Sequence, residues 1–184
     1  MNLPNFLTLT RIGIVPFFVV FFYISFFHTP LGSILFAIFF LAASLTDLLD
    51  GYLARRHSQV TPFGKFLDPI ADKILIISML ILLVSDGRVP AWIAIIMISR
   101  EFMVTGLRMV ASFEGVVISA EYLGKYKVFF QSAAIVFLLV VIDPPLYFHE
   151  IGFFLLLLSM VFSIFSACQY FFKFGQKFQL LKAK

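Results

Sequence analysis

Four aspartates, Asp47, Asp50, Asp68 and Asp72, fall in or close to two long apolar stretches of this 184-residue chain. An ionisable group in such a stretch is costly. A central Asp costs about 2.5 to 3.5 kcal/mol on membrane-insertion scales, so four cost on the order of 10 kcal/mol gross unless something offsets them. Asp47, Asp50, Gly51 and Ala54 recur at three and four residues, and Gly64, Asp68 and Asp72 recur at four, which places each set on one face of a helix. The connection from Arg55 to Phe63 is short, so the two helices are expected as antiparallel neighbours whose faces meet. Gly51, Ala54 and Gly64 remove bulk where backbones or a ligand must approach. Carboxylate oxygens with no Cys or His among them select hard cations such as Mg²⁺ or Mn²⁺. The formal charge of four Asp matches two divalent ions, which leaves room for an anionic phosphate ligand. Pairing of the acids with Arg55, Arg56, Lys65 and Lys73 is the alternative, but four acids at regular helical spacing exceed what pairing requires.

The elements that must position these acids are helices in a membrane. The chain is 61% apolar, 18% aromatic and only 13% charged, with a mean hydropathy of +1.03, whereas soluble domains carry about 25% charged residues. Six apolar segments are expected, running from about Ile12 to Phe27, Leu35 to Leu53, Phe66 to Val84, Ala91 to Val110, Val128 to Ile142 and Ile151 to Phe172. Turn residues separate them at His28-Thr29-Pro30, Asp86 to Pro90 and Asp143-Pro144-Pro145. The whole chain, 1–184, reads as one all-α polytopic bundle of six transmembrane helices. A short interfacial helix is expected ahead of the first crossing, where Leu3, Phe6, Leu7 and Leu9 alternate with polar residues. The first segment reads as a permanent helix, because no small-x-small cleavage site follows Phe27. Arg55, Arg56 and Lys65, then Lys125 and Lys127, then Lys173, Lys177, Lys182 and Lys184 occupy alternate connections and the tail, so both termini and these loops are expected on the cytoplasmic side.

The net charge of +4 is accounted for by this orientation and by anionic lipid, and no basic run with interleaved aromatics suggests nucleic acid. The single Cys168 excludes an internal disulfide and reads as a packed small side chain. His28, His57 and His149 are dispersed and form no H-x-K-x4-D pattern, which favours direct displacement over a histidine intermediate. Trp92 belongs at an interface. Ser159, Ser163 and Ala167 repeat every four residues, as in helix packing within a subunit or a homodimer seam. A divalent-cation transporter would also place Asp within a bundle, but it would not account for Gly51, Ala54, Arg55 and Gly64 at these spacings, nor for an unrepeated chain.

Residues 47–72 read D-x-x-D-G-x-x-A-R-x8-G-x-x-x-D-x-x-x-D. This resembles the signature of the CDP-alcohol phosphotransferase family, integral membrane enzymes that join a CDP-linked lipid or alcohol to an alcohol acceptor and release CMP. Pro4 to Thr8 before Arg11, Phe63 to Lys73, and Arg100-Glu101 followed by Gly106-Leu107-Arg108 extend the likeness to bacterial members that use sn-glycerol 3-phosphate. The resemblance implies an enzyme of the bacterial cytoplasmic membrane, its active site facing the cytoplasm, acting on CDP-diacylglycerol and glycerol 3-phosphate. It further implies metal ligation by Asp47, Asp50, Asp68 and Asp72, with Asp72 also the base, and CDP-lipid binding by Gly51, Ala54, Arg55, Thr61 and Gly64. The acceptor's phosphate needs a second cationic pocket, for which Arg108 and Lys125 are the first candidates and Arg100 the third. Glu101 beside Arg100 makes a structural pair an equal alternative there. Inositol phosphate, serine or phosphatidylglycerol as acceptor would leave the signature unchanged.

Overall fold

The computed structural model describes residues 3–56, 62–113, 122–142 and 147–182; side chains of 3–11, 47–56, 62–72, 122, 123, 125 and 177–182 lie outside what it describes. Among the described residues the chain is all helical: α1 Leu3–Phe22, a 3-10 turn Ser25–His28, α2 Pro30–Arg56, α3 Pro62–Ser85, α4 Ala91–Phe113, α5 Tyr122–Leu139 and α6 Phe148–Lys182. Each helix carries one expected apolar segment. Pro30 and Pro62 open α2 and α3, where a missing N–H costs nothing and the fixed φ suits the first turn.

Two boundaries differ from expectation. There is no separate interfacial helix before the first segment, because α1 runs unbroken from Leu3. That helix also stops at Phe22, and the apolar residues up to Phe27 form the 3-10 turn instead. His28 closes this turn by bonding the Phe22 carbonyl through Nε2 at 2.8 Å. Hydropathy cannot see the break, since the residues on both sides of it are apolar.

The helices pack in a closed ring, α1–α3–α4–α6–α5–α2, with α3 also touching α5 across the middle. Phe18, Phe40, Met79, Leu80, Leu83, Ile93, Ile135, Leu138 and Leu156 fill the interior. Over their described halves α2 and α3 are not principal neighbours. Each lies against α1 and α5, and Phe18 of α1 contacts Phe36 and Phe40 of α2 edge-on. The halves of α2 and α3 that carry the aspartates fall where side chains are not described.

Polar closures hold the far end of the ring. Arg88 Nη1 donates to the carbonyls of Leu138 (2.8 Å) and Leu139 (3.0 Å), satisfying the C-terminus of α5. Ser33 Oγ accepts from Val141 N–H at 2.8 Å. Gly152 lets α6 approach α5 closely, since a Cβ there would lie 2.9 Å from the Leu138 side chain and 3.0 Å from its backbone nitrogen.

By length and composition one described stretch, Phe148–Gln176, is long and apolar enough to cross a membrane; Ile12–Phe22, Pro30–Thr46, Lys73–Ser85 and Tyr126–Leu139 are shorter apolar helices. The outer faces are apolar as well, with Phe17, Leu31, Ile38, Ile95, Phe129 and Phe165 all exposed. Cys168 shares this outer face with Val161, Ile164 and Phe172, so it is exposed rather than packed as expected.

Candidate active site

The acidic residues lie on regular helix. Asp47, Asp50, Gly51, Ala54 and Arg55 occupy the last turns of α2, and Gly64, Asp68 and Asp72 the first turns of α3. The backbone therefore supplies the 3.6-residue period on which the shared-face reading depends. Thr61 lies outside the described residues, and the side chains of the others, with that of Lys125, lie outside the described part. Among the described residues no three His, Cys, Asp or Glu gather as a metal site. The donor chemistry of the four aspartates nonetheless fits a hard divalent cation, since they offer only carboxylate oxygen on rigid helix.

Directly beyond Asp72 the structure places a buried polar cluster. Glu101 of α4 is its centre. Its Oε2 accepts from Lys127 Nζ of α5 and from Arg100 Nη1 at 3.1 Å, while Lys73 Nζ of α3 stands 4.0 Å from Oε1. Arg100 Nε donates to the carbonyl of Ser163 on α6 at 2.8 Å, and Ser159 Oγ of α6 donates to the carbonyl of Lys127 at 3.1 Å. Charges from α3, α4 and α5 are thus joined and anchored to α6. Burial makes such pairing obligatory, because an uncompensated charge in an apolar interior costs several kcal/mol. Lys127 is only 3% exposed.

A cavity of about 60 Å³ opens beside the cluster, lined on its polar side by Lys73, Glu101, Lys127 and Gln131. Ile76 and Leu80, also in its wall, follow Asp72 at four and eight residues. The α3 face that bears Asp72 therefore continues along the cavity.

Of the expected acceptor residues, Arg100 and Arg108 both lie on α4 as the eight-residue spacing required. Their environments differ. Arg100 has two of its donor groups engaged by Glu101 and Ser163. Arg108 is exposed and lies over the Tyr170 ring, 5.0 Å from its centroid, in a cation–π contact. Lys125 lies on α5, two residues before Lys127. The Arg100–Glu101 pair, one of the two readings of Arg100 from the sequence, is present; sequence reasoning missed Lys127 as a further partner of Glu101 and Tyr170 as the partner of Arg108. The available signal for Lys127 was an ionisable residue beside an apolar segment without an assigned partner. The small-residue stripe of α6 is intrachain packing: Ser159 and Ser163 are 0% and 1% exposed within this chain.

The family model of the CDP-alcohol phosphatidyltransferases matches residues 1–165. The chain belongs to that family. It is similar to proteins named CDP-diacylglycerol–glycerol-3-phosphate 3-phosphatidyltransferase from three bacteria. The Bacillus subtilis (strain 168) protein is 46% identical over 143 residues, 73% of this chain and 74% of the relative. The Rickettsia bellii protein is 42% identical over 134 residues, 73% of this chain and 72% of the relative. The Salmonella typhimurium protein is 37% identical over 174 residues, 92% of each chain. The family resemblance read from residues 47–72 is borne out.

The two serines of α6 predict opposite responses. Ser163 Oγ is buried without a hydrogen-bond partner among the described residues, so Ser163→Ala leaves the melting temperature of the detergent-solubilised protein unchanged or raises it. Ser159→Ala removes the bond to the Lys127 carbonyl and lowers stability by about 0.5–1.5 kcal/mol. Thermal unfolding of both variants side by side checks the pair.

Proposed function

We propose that the chain transfers the phosphatidyl group of CDP-diacylglycerol to the primary hydroxyl of sn-glycerol 3-phosphate, giving phosphatidylglycerol phosphate and CMP. The observation that carries the reading is the Asp47–Asp72 pattern on the adjoining ends of α2 and α3 in a chain of this family. Relatives named for this same donor and acceptor support the choice of both substrates.

The enzyme sits in a bacterial cytoplasmic membrane as six crossings, with both termini and the acid-bearing ends of α2 and α3 on the cytoplasmic side. The exposed apolar faces of all six helices and the concentration of Lys and Arg in alternate connections support this topology. At 35 residues, α6 is about 52 Å long, more than a hydrocarbon core of about 30 Å needs. Its basic C-terminal turns therefore extend past the lipid on the cytoplasmic side.

Asp47, Asp50, Asp68 and Asp72 hold Mg²⁺ or Mn²⁺, two ions per site. When bound, such ions supply charge neutralisation to the pyrophosphate and to the leaving oxygen of CMP. Gly51, Ala54 and Gly64 admit the cytidine diphosphate group, Arg55 bonds its phosphate oxygens, and Thr61 lies at the same ligand. Arg108 and Lys125 hold the acceptor's phosphate, with Arg100 behind them. Asp72 takes the proton of the attacking hydroxyl as a new O–P bond forms at the lipid-side phosphorus and the bond from that phosphorus to the bridging oxygen of CMP breaks. No covalent enzyme intermediate is needed, because phosphoryl transfer depends mainly on positioning and charge neutralisation.

Two outcomes test this assignment. Purified protein releases CMP from CDP-diacylglycerol and glycerol 3-phosphate only while Mg²⁺ or Mn²⁺ is present, and activity that survives complete chelation contradicts the metal role of the aspartates. Asp72→Asn retains binding of CDP-diacylglycerol but loses turnover by about 10²–10⁴-fold; undiminished turnover removes Asp72 as the base.

A further inference from the structure

The interior cluster joins the two halves of the proposed site. Along α3 the face of Asp72 runs through Ile76 and Leu80 into the cavity wall. Along α4, Glu101, Thr105 and Arg108 follow at four and seven residues, so the face that lines the cavity also leads to the cation over Tyr170. On α5, Lys127 stands two residues from Lys125. Glu101 is the point at which these three faces are tied together, through Lys73, Arg100 and Lys127.

We infer that Glu101 is a positioning residue of the transfer reaction: by holding Lys127, Arg100 and Lys73 on one carboxylate, it fixes the acceptor-binding faces of α4 and α5 against the Asp72 face of α3. This rests on the transfer reading above. Three features support a positioning role over simple neutralisation of one lysine. The carboxylate gathers cations from three different helices, where one partner would neutralise it. Its main-chain carbonyl accepts from Thr105 Oγ at 2.7 Å, an additional hydrogen bond within α4 on the way to Arg108. The cavity beside it leaves the cationic side chains room to swing away once the carboxylate is gone. Glu101 touches neither substrate in this account. It acts through the side chains it holds.

The test is steady-state kinetics of the full-length protein in detergent micelles, with each substrate varied separately. In Glu101→Gln, KM for glycerol 3-phosphate rises at least about tenfold, within the range of a lost hydrogen bond to a charged group, while KM for CDP-diacylglycerol stays within about twofold. Glu101→Asp keeps the charge on a shorter arm and returns the acceptor KM to within about threefold of wild type. If Glu101→Gln does not fold, Glu101→Gln/Lys127→Gln removes both members of the tightest pair and carries the same test, because Arg100 and Lys73 still lose their anchor. An unchanged acceptor KM in folded Glu101→Gln, or an equal rise in both KM values, overturns the inference. So does a double variant with wild-type kinetics, since Glu101 would then only neutralise Lys127. Any of these results with an active wild-type protein leaves the transfer reading standing. A wild-type protein inert toward glycerol 3-phosphate overturns that reading and this inference with it.

Discussion

A charge cannot be left unpaired inside an apolar helical bundle, and the interior of this protein is organised around that constraint. Glu101, Arg100, Lys127 and Lys73 meet it together. Through this cluster α3, α4, α5 and α6 are all linked. The ring of helices supplies the apolar walls, and the polar cluster sets how its members stand relative to one another near the ends of α2 and α3 that carry the aspartates.

The same economy governs the rest of the polar inventory. Arg88 finds the open carbonyls at the end of α5, and Ser33 bonds the chain just after it. In the proposed mechanism the remaining cations take their anionic partners from the phosphate groups of the substrates. Two carboxylate populations are thereby distinguished by role. Glu101 is engaged by side chains of its own protein, whereas the Asp47–Asp72 set occupies regular helix with oxygen donors suited to divalent cations.

Helix number and placement were legible in the sequence because apolar length is a strong signal; the fourth segment, expected from Ala91 to Val110, became α4 Ala91–Phe113. The family was legible in residues 47–72, where glycine, arginine and aspartate stand at fixed helical spacing. Details decided by tertiary packing were not. The 3-10 turn at Ser25–His28 interrupts an apolar run that hydropathy reads as continuous. The packing of α1 against α2 depends on how large aromatic side chains fit in three dimensions. Lys127 as a partner of Glu101 was equally hidden, since it lies 26 residues away and only the packing of α4 and α5 on α6 brings it near. Arg100 illustrates the limit: a role shared with Arg108 and a pair with Glu101 were equal readings of the sequence, and its bonds to Glu101 and Ser163 distinguish it from the exposed residue eight positions on.

The claim on which the account turns is that these sparse charges assemble a site for one donor and one acceptor. It is tested most directly by offering the purified protein radiolabelled CDP-diacylglycerol with glycerol 3-phosphate, inositol phosphate, serine or phosphatidylglycerol in turn, and identifying the labelled lipid formed. The account predicts phosphatidylglycerol phosphate from glycerol 3-phosphate and no comparable product from the others. A phosphatidyl product formed preferentially from any of the other three would contradict it.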